Sequence, residues 1–348
     1  MVNTVGVISL FFACTTPTPP APEPPPAPEP VACRDLPIQH IDAEAWRDES
    51  DAGVTAVLRA GDGERGCARL VVIDPRSGTL RADTILQDGQ AQVMYTPRWR
   101  GLDAGGGLWL HRDGVGPDVY DLRTGDTRLS AEDFWAQNKD LRAHVEGDGG
   151  EIWFDRHRRP VIKRDDGLLH FIDPQTLQPR SSLEAVPPIE RSKTTQSPCS
   201  RSNASASIST AQVTLEAGLL RSEQEPGASW ERQWLFAGRE RVGVEGVFLR
   251  PGAVRDGAYG WEAQRWECGW LLEERGALIQ HVKNLRNSAP LTYSALAEDG
   301  QIRWRWTVEQ GDVLDWAASL DGSVVFSFRG RIIALDEGNG DVRWALAE

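Results

Sequence analysis

From residue 33 to the C terminus, short apolar runs alternate with turn signals. "VVIDPRSGTL", "VYDLRTGDTRL" and "IIALDEGNGDVRW" each carry an apolar run into an aspartate and restart after a glycine four residues on. These pairs are Asp74 and Gly78, Asp121 and Gly125, and Asp336 and Gly340. "FIDPQTLQP" keeps Asp173 but has Leu177 at the glycine position, and "ALAEDGQIRW" keeps Gly300 after a turn one residue shorter. The aspartate carboxylate can accept from amides two residues on, and glycine supplies the positive φ that closes a tight hairpin. In two copies a tryptophan follows the glycine by four, Trp304 and Trp344. That places a large flat side chain at one fixed position on the return strand.

The copies recur at 47 residues (Asp74 to Asp121), 52 (Asp121 to Asp173) and 40 (Gly300 to Gly340). A period of this size, with several short strands per unit and no sustained helical pattern, predicts an all-β fold, a β-propeller. Residues 33–348 divided by about 45 per unit give seven blades, with six or eight left open. Between Asp173 and Gly300 no clear copy stands out, although "VTLEAGLL" and "CGWLLEERGALIQHV" read as strands with turns. Two segments depart from the pattern. "SAEDFWAQNKDLRAHV" opens with Ser130 and Asp133, a capping box that predicts a short helix. "RSKTTQSPCSRSNASASIST" is serine-rich and predicts a mobile loop.

The last fifty residues bring a resemblance. "ALDEGNGDVRW" is similar to the A-x-D-x-x-x-G-x-x-x-W repeat of the pyrroloquinoline-quinone-like propellers at Ala334, Asp336, Gly340 and Trp344, with Asn339 where threonine is usual. The units at Asp74 and Asp121 match in part and the middle of the chain poorly. The resemblance implies tryptophans docked between neighbouring blades, hence structural roles for Trp304 and Trp344. It also implies what an enzyme of that family would need: adjacent cysteines, a tryptophan floor, calcium ligands and a catalytic aspartate. No two cysteines are adjacent here and there is no aspartate-rich calcium loop, so the expectation is a protein without a catalytic site or cofactor. The alternative is a propeller that binds a small molecule or performs chemistry at the channel mouth.

The N terminus sets the compartment. Val5 to Ala13 is an apolar run of signal-peptide size, and Ala13 is followed at once by Cys14. The arrangement resembles a bacterial lipoprotein signal. It implies a signal peptide over 1–13, lipid on Cys14, and a linker over 14–32. Phe11 stands where leucine is usual, and no lysine or arginine precedes the run. Thr15 and Thr16 match residues that permit outer-membrane sorting. Nine of the fourteen residues from Pro17 to Pro30 are proline, and an extended polyproline spacer of that length reaches about 43 Å.

Five cysteines are present: Cys14, Cys33, Cys67, Cys199 and Cys268. Lipidation of Cys14 leaves four, enough for two disulfides in an oxidising envelope. Cys33–Cys67 with Cys199–Cys268 is the pairing of nearest cysteines.

The net charge of −13 disfavours nucleic acid as a partner. "RHRRPVIKR", with Arg156, Arg158, Arg159, Lys163 and Arg164, is a local basic exception that reads as a solvated surface. Hydrolase, zinc-protease, phosphate-loop and dinucleotide motifs are all missing from the sequence. The six histidines are scattered, and His111 with Asp113 is at most half of a metal site. The sequence expectation is a membrane-anchored envelope propeller, in the periplasm or at the cell exterior, that binds a partner protein through one rim. A passive spacer is the third reading.

Overall fold

The computed structural model of the chain describes residues 32–47, 50–62, 65–90, 95–97, 107–112, 116–145, 152–154, 160–173, 176–180, 200–201, 211–215, 218–224, 233–237, 240–248, 255–256, 260–261, 270–273, 276–283, 290–297, 299–308, 314–328 and 330–346. The alternation of apolar and polar positions emerges as antiparallel strands, with α-helix among the described residues confined to one short excursion. A 3-10 turn, Cys33–Asp35, leads into the first sheet. That sheet is β1 (Ile38–Arg47), β2 (Ala52–Gly61), β3 (Gly66–Ile73) and β4 (Leu80–Gln90), hydrogen-bonded in chain order. The second is β5 (Tyr95–Pro97), β6 (Gly107–Arg112), β7 (Gly116–Asp121) and β8 (Thr127–Leu129), and the third β9 (Ile152–Phe154), β10 (Pro160–Lys163), β11 (Leu169–Ile172) and β12 (Pro179–Arg180).

A nine-stranded sheet follows. It is built from β13 (Ser200–Arg201), β14 (Ala211–Leu215), β15 (Gly218–Gln224), β16 (Gln233–Ala237), β17 (Glu240–Phe248), β20 (Trp270–Leu272), β21 (Gly276–Val282), β22 (Leu291–Ala297) and β23 (Ile302–Val308). The pair β18 (Arg255–Asp256) and β19 (Gly260–Trp261) stands apart. The last sheet is β24 (Leu314–Leu320), β25 (Ser323–Phe328), β26 (Ile332–Asp336) and β27 (Val342–Leu346), again in chain order.

Sheets of this kind are apolar on both faces because each face packs on a neighbour. Leu108, Leu110 and Tyr120 of the second sheet pack on Val57, Leu70 and Val72 of the first. Trp109, Val119 and Leu129 pack on Ile162 and Ile172 of the third. Tyr293, Ala295 and Trp304 pack on Val324, Phe326 and Leu335 of the last sheet. The last sheet returns to the first, with Ala318, Leu320, Val325 and Ala334 against Ile41, Val54, Ala56 and Val71.

The capping box forms as expected. Ser130 Oγ accepts from the Asp133 amide at 3.1 Å and starts α1 (Ala131–Gln137), which α2 (Lys139–Arg142) continues. Phe134 and Trp135 are buried and pack with residues of both the second and third sheets. Cys33 and Cys67 form a disulfide. Cys14, Cys199 and Cys268 lie outside the described residues, as does most of the serine-rich segment, of which Ser200 and Arg201 form β13. Among the described residues no helix is long and apolar enough to cross a membrane.

Candidate functional site: a rim of aspartate turns

Four of the turns singled out in the sequence share one construction; the shorter one differs, with the Gly300 amide donating to the Ala297 carbonyl and Asp299 Oδ1 accepting from the Gln301 amide at 2.9 Å. Asp74 Oδ1 accepts from the Arg76 and Ser77 amides at 3.0 and 2.9 Å. Asp121 does the same with Arg123 and Thr124 at 2.8 and 3.1 Å, and Asp336 with Gly338 and Asn339 at 2.9 and 3.1 Å. Asp173 accepts from Thr176 at 3.2 Å. The fourth residue on then donates its amide back to the aspartate carbonyl: Gly78, Gly125, Leu177 and Gly340. All four have positive φ, including Leu177 at 58°. Leucine therefore keeps the turn that glycine makes elsewhere, at a conformational cost, and its side chain is buried with Leu129.

These turns are the joints between sheets. Trp304 lies against Gly340, where an added Cβ would meet the ring at 2.7 Å, and its Nε1 donates to the Glu337 carbonyl at 2.8 Å. Trp344 lies against Gly78 at 2.6 Å by the same measure, and its Nε1 donates to the Pro75 carbonyl at 2.9 Å. In each case the acceptor is the residue after the aspartate. Trp304 is buried and Trp344 half-buried.

The residue four after Gly78 is Ala82, and a Cβ on Gly125 would lie 3.0 Å from it. Alanine has no donor for the carbonyl after Asp121, that of Leu122. Thr55 Oγ1 supplies it at 2.6 Å and accepts in turn from Trp46 Nε1 at 3.0 Å. A tryptophan of β1 thus replaces, through a threonine relay, the tryptophan that β4 lacks.

An arginine completes the motif, and the sequence reading missed it. Register shifts leave Arg81, Arg128, Arg303 and Arg343 in bulges on the return strands. Arg81 meets Asp74 at 2.7 Å, and Arg343 Nε meets Asp336 at 3.1 Å. Arg180 stands 4.0 Å from Asp173. The signal was available as aspartate followed seven residues later by arginine at 74, 121, 173 and 336. Burial pushes the Asp74 carboxyl up, but Arg81 and the Ser77 amide and hydroxyl outweigh it and hold the pKa at about 2. Bonding to Arg343 holds Asp336 below the usual range.

Between the first and last sheets, Arg47 at the end of β1 bonds Asp321 at 3.2 Å and also pairs with Glu273, beyond β20. Glu273 accepts from the Gly322 amide at 3.1 Å and donates its own amide to Ser319 Oγ at 3.0 Å. Ser319 bonds Glu337, a buried carboxylate. Three sheets meet in this network.

Away from the rim, His281 Nε2 lies 2.8 Å from Ser294 Oγ. Burial, then the charge of Arg305, pushes the imidazole down to about 4. A base beside a hydroxyl has the form of an activated nucleophile, but Ser294 is fully buried, out of reach of any substrate. His111 lies on β6 and Asp113 outside the described residues. Among the described residues no three His, Cys, Asp or Glu side chains gather closely enough to hold a metal.

No protein-family model matches the chain, and no curated protein sequence does. Solved structures give distant likenesses. BamB from Moraxella catarrhalis is 13% identical, with 89% of this chain and 79% of that one covered at a TM-score of 0.22. The uncharacterized protein lmo1340 from Listeria monocytogenes is 9% identical, with 83% and 78% covered at 0.22. The extracellular domain of the hybrid two-component system BT3049 from B. thetaiotaomicron is 10% identical, with 82% and 43% covered at 0.19. At such TM-scores the likenesses carry no argument, and the fold is read from the chain's own joints.

Proposed function

We propose that this chain is a membrane-anchored β-propeller of the pyrroloquinoline-quinone-like repeat type that binds a partner protein in the bacterial envelope through one rim of its disc. The observation that carries the fold is the placement of Trp344. The last sheet sets this side chain on the aspartate turn of the first sheet, as Trp304 sets the sheet before it on the last. The same head-to-tail joint on either side of the last sheet, to the sheet before it and to the first, supports a closed ring of blades, seven by the repeat period. Lipid on Cys14, with the proline-rich spacer, would hold that ring off a membrane, the outer membrane by the residues that follow the cysteine. The ring would act as a scaffold without chemistry of its own. In support, the repeat's aspartates, glycines and tryptophans are engaged in turns and joints.

The test begins with native protein from detergent-solubilised membranes after mild cross-linking, with mass spectrometry of what accompanies it. A stoichiometric envelope protein is the expected result. A bound quinone or metal and no protein would overturn the scaffold reading. The Cys14→Ser variant should leave the membrane fraction, and one that stays there would overturn lipidation.

A further inference from the structure

We propose that the Cys33–Cys67 disulfide is a load bypass: tension entering from the N-terminal tether passes directly into β3 and is not carried along the backbone of β1 and β2. The inference rests on the tethered reading above and is argued from where the bridge enters the first sheet. Cys33 lies five residues before β1, and Cys67 is the second residue of β3. Among the described residues β1 is an edge strand paired with β2 alone, whereas β3 is paired on both sides, by β2 and β4. An edge strand pulled from its end opens one hydrogen bond after another. A strand held from both sides must break both ladders together.

The bridge takes residues 34–66 out of the force path, and those residues hold the first sheet's inner contribution to its joint with the last sheet. Ile41, Ala45, Val54 and Ala56 pack there. The Ala43 carbonyl accepts from Trp316 Nε1 at 2.6 Å, and Arg47 bonds Asp321. Without the bridge, the first strand to yield would be the one that holds this seam.

The entry point is built to keep the bridge closed and loaded. Cys33 and Cys67 are 3% and 0% exposed, in a pocket with Leu36 and Ala60, away from thiols in solution. Beside them Arg34 meets Asp83 of β4 at 2.9 Å, and Arg69 of β3 binds the same carboxylate through two nitrogens at 2.9 and 2.8 Å. The charged staple ties the 3-10 turn to β3, which receives the load, and to its neighbour β4.

Single-molecule pulling on the full chain tests this, with one handle on an N-terminal tag and one at Thr79→Cys, in a Cys14→Ser background so that lipid plays no part. The bridge spans 34 residues, so its loss should add a step of about 120 Å, at roughly 3.5 Å per residue. We expect that step at low force in the Cys33→Ala/Cys67→Ala variant and none of that size at the same force in the oxidised protein. Hydrogen exchange on the unloaded variant, with protection of β3 retained, establishes that it is folded. Equal rupture force with and without the bridge overturns the proposal. So does a folded double variant that shows no early step. Neither outcome touches the membrane-release test of Cys14, so the two readings fail separately.

Discussion

Gly340 and Gly167 share a backbone conformation, at φ of 79° and 84°, and differ in surroundings. A Cβ on Gly340 would press on the Trp304 ring, while one on Gly167 meets nothing within 4 Å. Alanine at 167 should therefore cost only the left-handed backbone penalty, about 1 kcal/mol. At 340 it should cost about 2–4 kcal/mol, because overpacking adds to it. Denaturant unfolding of the two variants measures the difference, and equal costs would mean the ring does not rest on the turn. His281 makes a second residue-scale prediction. Its folded pKa of about 4 lies below the ordinary 6.5, so between those values the unfolded chain binds the extra proton. Stability should be full above about pH 6.5 and fall by up to about 3 kcal/mol toward pH 4. The His281→Gln variant should lose that slope, and an unchanged slope would assign it elsewhere.

At the scale of elements, the joint between the first and second sheets departs from its siblings because Ala82 stands where Trp304 and Trp344 stand in theirs. The relay from Trp46 through Thr55 to the Leu122 carbonyl restores the lost donor. The Thr55→Val variant keeps the shape and removes the hydroxyl, leaving a buried carbonyl and an indole N–H unmatched. A loss of about 1–3 kcal/mol is expected in equilibrium unfolding, and a loss under about 0.5 kcal/mol would sink the relay. The repeated turn itself was legible in the sequence, because aspartate, glycine and their spacing act within a few residues. The arginines seven residues after the aspartates, at 81, 128, 180 and 343, were written in the sequence in the same way, although only the structure drew attention to them. The relay was not, because Trp46, Thr55 and Leu122 lie on three different elements.

For the whole molecule the decisive joint is the one between chain ends. The first sheet comes entirely from the N-terminal side and the last entirely from the C-terminal side. Among the described residues no strand is exchanged between them, and the bonds named across the joint each have a side chain as donor. Trp344→Ala removes a half-buried ring and its bond to Pro75, so it should cost about 2 kcal/mol. It should also speed hydrogen exchange in β1 and β24 more than in β7 or β10. Exchange that rises evenly across all four strands would mean that this joint is no weaker a seam than the others.

The sequence by itself determined what local chemistry can decide. That includes strand after short strand, the aspartate turns, the capped helix at Ser130, and the tryptophan position on the return strand. It also put Cys33 and Cys67 forward as partners, which the structure bears out. Tertiary structure alone decided which turn each tryptophan covers and that Arg47 gathers Asp321 and Glu273. It decided likewise that Leu177 holds a glycine's conformation and that Thr55 stands in for an absent indole. The reason is physical. A turn closes through bonds between residues four or five apart, so its requirements are written contiguously. A joint between sheets is satisfied by whichever side chains the packing brings within reach, and those can lie more than 250 residues apart, as Pro75 and Trp344 do.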